Sequence, residues 1–124
     1  MATASARPNA LNRGPETLGQ RRHERVPFIR EVRLWLDGHT GAVKAHMVDI
    51  SAGGCALHIA MRPEAGTLGR VQVNVDGHSM WLPIEIRWVR AEGRGWMAGA
   101  SFDRPTPEKQ ALIRDLIYRR LNQR

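Results

Sequence analysis

The chain has 124 residues, 42% of them hydrophobic, which suits one compact domain with a single core. No run approaches the roughly 18 consecutive apolar residues of a membrane-spanning helix, and the first residues, MATASARPNALNRGPETLGQ, lack the apolar stretch of a secretory signal. Cys55 is the single cysteine, so no intrachain disulfide can form, and a reducing, cytoplasmic setting is expected. The formal charge of +7 points to an anionic partner.

That charge is unevenly placed. Between Val26 and Asp103 the basic and acidic side chains cancel. The surplus sits at the two ends, in Arg7, Arg13, Arg21, Arg22 and Arg25, and again in Arg104, Lys109, Arg114, Arg119, Arg120 and Arg124.

Residues 1–19, rich in Ala, Pro, Gly, Asn and Thr, read as a flexible N-terminal arm, and residues 20–124 as the folded domain. Val32, Leu34 and Leu36 alternate with Arg33, Trp35 and Asp37, the period of a half-buried strand. Asp37-Gly38 is a hairpin signal, and Ala42 to Ile50 reads as the returning strand. Ser51-Ala52-Gly53-Gly54 breaks the pattern, Cys55 to Ala60 resumes it, and Arg62 to Gly69 is a loop. Val71, Val73 and Val75 alternate towards a second turn at Asp76-Gly77. Met80 to Arg90 is a long strand, Ala91 to Gly95 a turn and Trp96 to Phe102 a last strand. Short strands at this spacing predict an antiparallel barrel or sandwich. The period then changes. Thr106 can cap a helix that opens with Pro107 and Glu108. Leu112, Ile113, Leu116, Ile117 and Leu121 share one face of it, and burial across one opening of the barrel is the simplest use of that stripe. Arg114, Arg119 and Arg120 read as a solvated face or, alternatively, a dock for an acidic partner or membrane surface.

Two short segments carry chemistry. Residues 20–28 read QRRHERVPF, with Arg21, Arg22 and Arg25 just before the first strand. A guanidinium offers a planar fork that grips phosphate oxygens or the O6/N7 edge of guanine, and its flat face stacks on a purine. Alone, the run reads first as an ordinary basic linker. Residues 49–54 read DISAGG. Strand alternation predicts that Asp49 and Ser51 face one way, a carboxylate and a hydroxyl able to read a guanine edge. Gly53 and Gly54 allow positive φ and a close approach of backbone N–H groups to a ligand. Alone, this segment reads first as a strand-ending turn.

Together, Arg21-x-x-x-Arg25 and Asp49-x-Ser51-x-x-Gly54 resemble the paired RxxxR and (D/N)xSxxG motifs of the PilZ domain family. RVPF, DISAGGCAL, the later Gly99-Ala100-Ser101-Phe102 and the terminal helix extend the resemblance from Gln20 to Leu121. It implies a six-stranded antiparallel β-barrel closed by a C-terminal helix. It also implies a receptor for cyclic di-GMP that performs no chemistry on it. Arg21 and Arg25 would be the motif pair with Arg22 as helper, Asp49 and Ser51 the guanine readers, and Gly54 the point of close backbone approach. An aromatic near the sheet stacks on guanine in some similar domains, which makes Trp88 a candidate, with packing as its alternative role. The arginine arm is expected to order against the barrel on binding and so alter what a downstream partner sees. Motility or exopolysaccharide machinery would supply that partner. Similar domains occur both free-standing and within larger proteins; the Met1 start favours the former. Gln20, where some relatives carry a further arginine associated with a ligand pair, leans towards one ligand per site.

Trp35, Trp81 and Trp96 are expected to pack. Cys55 and His58, three apart on a strand, point to opposite faces and do not form a metal pair. No spacing suggests a catalytic group, and SAGG lacks the lysine of a phosphate-binding loop. Two rival readings stand beside the receptor: a small basic barrel binding single-stranded nucleic acid, and a non-binding adaptor with a vestigial motif.

Overall fold

The computed structural model describes residues 24–122. Six strands, β1 (Val26–Leu36), β2 (Val43–Ile50), β3 (Gly54–Ile59), β4 (Leu68–Val75), β5 (His78–Glu92) and β6 (Gly95–Phe102), precede one helix, α1 (Pro107–Leu121). Every pairing is antiparallel, and the order β1-β2-β3-β6-β5-β4 closes into a barrel. Closure comes from β1 against β4, where Arg33 to Leu36 face Gln72 to Gly69.

The predicted alternation is what fills the interior. Val32, Leu34 and Leu36 from β1, Val71 and Val73 from β4, and Met80, Leu82, Ile84 and Ile86 from β5 all point inward and are buried. Met47, Leu57 and Ile59 complete the same core from the other half of the barrel. The Asp76-Gly77 turn takes φ values of 53° and 82° at its two central residues, the left-handed pair whose twist matches a two-residue hairpin.

Thr106 caps α1 by accepting the Lys109 amide at 3.2 Å, with Pro107 in the first turn. Ile113 and Leu116 are buried, and Ile117 and Leu121 pack partly against the core. Two expectations for this helix change. Leu112 is exposed, because it falls at the margin of a stripe centred on Ile113 and Leu116. Arg120 is not on a free solvated face. It lies near the axis of the apolar stripe, donates to the Pro27 carbonyl at 3.3–3.4 Å and sets its guanidinium 5.4 Å from the Phe28 ring. A long side chain can cover apolar surface with its stem while its head finds polar partners. Arg119 binds Asp76 in the β4–β5 turn and Asp115 on its own helix. The hydrogen bond from Arg119, and then its charge, hold the Asp76 carboxyl below its usual range. The helix therefore bridges β1 and the β4–β5 turn at the end where those strands part.

The tryptophans pack, but outside the barrel. Trp35 and Trp81 lie against each other with centroids 4.9 Å apart, and Arg62 sits over Trp96.

Candidate functional site

Pairing register assembles the site. Pro27 faces Asp49, Asp49 faces Ala56, Ala56 faces Gly99, and Gly99 faces Trp88. One row of outward positions thus crosses five strands. At one end Arg25, immediately before β1, donates from Nη1 to Asp49 Oδ1 at 2.6 Å. At the other end the Trp88 indole lies over Gly99, where a Cβ would overlap it. With neighbouring strands about 4.8 Å apart, the backbones of Asp49 and Trp88 are about 14 Å apart. Small residues form the floor between them. Ala56 is buried in it, and Gly99 lies beneath the Trp88 ring, between the carboxylate–guanidinium pair and the edge of the row.

Bulges aim the key side chains. On β2, Ala45 and Met47 point inward, and simple alternation would send Asp49 inward as well. One extra residue at Val48, between the Met47–Leu57 and Asp49–Ala56 pairs, switches the phase. Asp49 then turns outward and Ile50 becomes fully buried. The same device acts on β5. After Met80, Leu82, Ile84 and Ile86, position 88 is due inside. An extra residue at Arg87 turns Trp88 out, 41% exposed. A third irregularity follows Pro27 on β1. Bulges concentrate where a strand must re-aim a side chain. Trp88, whose face was open from sequence, is therefore an outward residue of this row, with Arg90 5.4 Å from its ring.

The DISAGG segment differs from expectation in three places. Ser51 does not share the face of Asp49. It lies past the end of β2 and is buried, its hydroxyl 3.3 Å from the Gly54 carbonyl and its amide donating to the same oxygen at 2.8 Å. The hydroxyl latches the turn instead of facing outward. Gly53 and Gly54 are not among the left-handed glycines, which in the described residues are Gly38, Gly41, Gly66, Gly77 and Gly93. Gly54 is needed for a different reason: a Cβ there would overlap the Ala100 carbonyl across the β3–β6 pairing. Gly53 accepts from the Phe102 amide at 2.9 Å, tying the turn to the end of β6. The segment positions Asp49 more than it lines a pocket.

Arg21 and Arg22 lie outside the described residues, as does the 1–19 arm. Gly99 and Ala56 as floor residues were missed from sequence. The available signal was a glycine inside a strand, which marks close approach by another group.

Beneath the row, the Cys55 thiol is pushed up to about 12 from its ordinary 9.0, chiefly by burial and then by the Asp49 charge, with Arg25 opposing. Between those values the folded chain keeps a proton that the unfolded chain releases. This contribution to stability is therefore intact below about pH 9 and lost as pH rises towards 12, at about 1.4 kcal/mol per pH unit. Denaturant midpoints measured from about pH 8 to about pH 10.5 should fall in the parent and fall less in Cys55→Ala. Parallel curves would remove the thiol as the cause.

The PilZ domain profile matches residues 19–119. No curated protein matches the chain. Among solved structures, the PilZ domain of YcgR from Escherichia coli with c-di-GMP has a TM-score of 0.70 at 13% identity, covering 84% of this chain and 93% of that one. The Bacillus subtilis inhibitor of motility MotI/DgrA gives 0.67 at 19% identity, over 82% of this chain and 52% of its own. The PilZ domain of CeSA from a cellulose-synthesizing bacterium gives 0.60 at 19% identity, over 77% and 95%. This chain spans about half the length of the MotI chain. At such identities the structures speak for a shared fold, the closed six-stranded barrel with its terminal helix. By that fold and by a profile match running from residue 19 to residue 119, the chain belongs to the PilZ domain family.

Proposed function

We propose that this chain is a cytoplasmic receptor for cyclic di-GMP that binds the nucleotide without transforming it. The observation that carries this reading is the single outward row with the Arg25–Asp49 pair at one end and Trp88 at the other. The ligand has two phosphates and two guanines. It calls for cationic forks, an acceptor for the guanine N1–H and N2–H, and a flat apolar surface. Arg25 and Asp49 supply the first two, and Trp88 above the Ala56–Gly99 floor supplies the third. Arg21 and Arg22 precede Arg25 by four and three residues, a reach of at most about 14 Å and 11 Å of extended chain. A chain of that length lets both guanidinium groups reach phosphates held beside Asp49. In this reading Ser51, Gly53 and Gly54 act through the turn that presents Asp49.

The Arg25–Asp49 pair is solvent-exposed, and such pairs stabilise a fold by only about 0–1 kcal/mol. Its arrangement is cheap to exchange: guanine can take the carboxylate while the guanidinium moves to phosphate. Ordering of the arginine arm on binding is the proposed output, read by a downstream protein of motility or polysaccharide machinery. The related folds come from an inhibitor of motility and from a cellulose-synthesizing bacterium, which supports that partner class.

Calorimetry with cyclic di-GMP, GTP and a short oligonucleotide tests the assignment. Saturable binding is expected for cyclic di-GMP alone. Trp88→Ala should weaken it about tenfold, since stacking of one base on an aromatic ring contributes roughly 1–3 kcal/mol. Equal binding of GTP, or tighter binding of the oligonucleotide, would refute the receptor reading.

A further inference from the structure

The opposite side of the barrel carries a second cluster of charge and aromatic surface that the nucleotide row does not use. Trp35 on β1 faces Arg70 on β4, which faces Pro83 on β5. In the next row, Lys44, Arg33, Gln72 and Trp81 follow one another across β2, β1, β4 and β5. The Arg70 guanidinium lies 5.1 Å from the Trp81 ring and 5.7 Å from the Trp35 ring. Beside them opens a cleft of about 380 Å³, lined by Arg70, Trp81, Pro83 and, from the first turn of α1, Lys109. Trp81 is 36% exposed although a large indole gains from burial.

We propose that this cleft docks an acidic segment of a second protein, seating one bulky apolar side chain against Trp81 and Pro83 while its carboxylates meet Arg70 and Lys109. Charge complementarity selects the partner. Arg70 and Lys109 are two of the four residues that line the cleft, and none of the four is acidic. Arg33 and Lys44 are exposed in the adjoining row. Of the flanking carboxylates, Asp103 meets Pro83 across the β5–β6 pairing, while Glu85 is already paired with Arg87. A second copy of this chain is disfavoured, because a two-fold contact would press the cationic face against itself. A single nucleic-acid strand is the weaker fit. Its bases need successive free aromatic faces, whereas Trp35, Trp81 and Arg70 already cover one another.

The two sites are separate. Along β5, Trp88 lies five residues beyond Pro83, about 17 Å at about 3.4 Å per residue; along β1, Trp35 lies eight residues beyond Pro27, about 27 Å. Nucleotide and partner segment can therefore occupy the barrel together, and the docking surface does not depend on the nucleotide assignment.

A displayed random-peptide library selected on the immobilised full chain tests this. Acidic sequences flanking one bulky apolar residue should be enriched. A peptide so selected should bind Arg70→Glu at least tenfold more weakly than the parent. Arg94→Glu makes the same charge change at the distant β5–β6 turn and should alter binding by less than threefold. Lys109→Glu probes the same cleft from the helix and serves if Arg70→Glu lowers the melting temperature. Both cleft variants should retain the parent's response to cyclic di-GMP. Absence of the acidic–apolar motif, or equal losses in Arg70→Glu and Arg94→Glu, overturns the proposal. So does tighter binding of oligothymidine that Arg70→Glu abolishes, which would make the cleft a nucleic-acid site.

Discussion

Arg25→Ala is expected to lower affinity for cyclic di-GMP by about a hundredfold or more, while lowering the melting temperature by no more than about 4–8 °C. The two halves of that result have separate physical origins. In the free protein Arg25 meets Asp49 at 2.6 Å, with the arginine side chain 51% and the carboxylate 30% exposed. An ion pair in that setting contributes about 0–1 kcal/mol to folding, and in a domain near this size 1 kcal/mol moves the midpoint by only about 4–8 °C. Against a dianionic ligand the same guanidinium would make charge-assisted, bidentate contacts, and hydrogen bonds to charged groups contribute about 1.5–3 kcal/mol each. A hundredfold loss corresponds to about 2.8 kcal/mol, within what one such fork supplies. Asp49→Ala should produce a loss of similar size by a different route, since the guanine N–H donors would be left without an acceptor. Calorimetry and thermal melts on both variants decide it. If Arg25→Ala binds within threefold of the parent, the row is not the nucleotide site.

Two glycines on adjacent strands should fail in opposite ways when a single methyl group is added. Gly54→Ala is expected to destabilise the fold by about 3 kcal/mol or more, the upper range for overpacking a well-filled interior, lowering the melting midpoint by roughly 15 °C. The added Cβ meets the Ala100 carbonyl. That oxygen belongs to paired backbone, and it cannot move without breaking the β3–β6 ladder. Gly99→Ala adds its methyl under the Trp88 indole. That ring is 41% exposed and can swing away into solvent, so the expected change in stability is about 1 kcal/mol or less. The displaced indole would no longer stand at the end of the floor, and nucleotide affinity should drop about tenfold, matching Trp88→Ala. Thermal melts paired with calorimetry separate the two outcomes. A Gly99→Ala variant that melts as early as Gly54→Ala, or that binds like the parent, contradicts the assigned seat for Trp88.

Much of this architecture is legible in the amino-acid sequence. The alternation at Val32-Leu34-Leu36, at Val71-Val73-Val75 and along Met80 to Ile86 assigned strand, face and core together, because a pleated strand repeats every two residues. Thr106-Pro107-Glu108 marked the helix start through the chemistry of its unpaired amides. The spaced motifs pointed to Asp49 and the arginines ahead of β1. The same period-two rule then misled at the site. Asp49 and Ser51 are two apart, yet Asp49 turns outward on a bulged strand while Ser51 is buried past its end. Val48 and Arg87, the extra residues of the two bulges, carry no glycine or other local mark. Only pairing to the neighbouring strand shows that one residue is surplus.

The helix divides in the same way. Its existence and its buried pair Ile113 and Leu116 follow from periodicity. The exposure of Leu112 and the inward position of Arg120 depend on which strands lie beneath. Local preference and hydrophobic period are properties of neighbouring residues, so the chain itself determined its elements, its core and its motif residues. Register is a property of pairs of strands distant in sequence. Tertiary structure alone therefore brought Arg25, Asp49, Ala56, Gly99 and Trp88 into one row, gave Gly54 its packing requirement against Ala100, and gathered Trp35, Arg70 and Trp81 on the opposite wall.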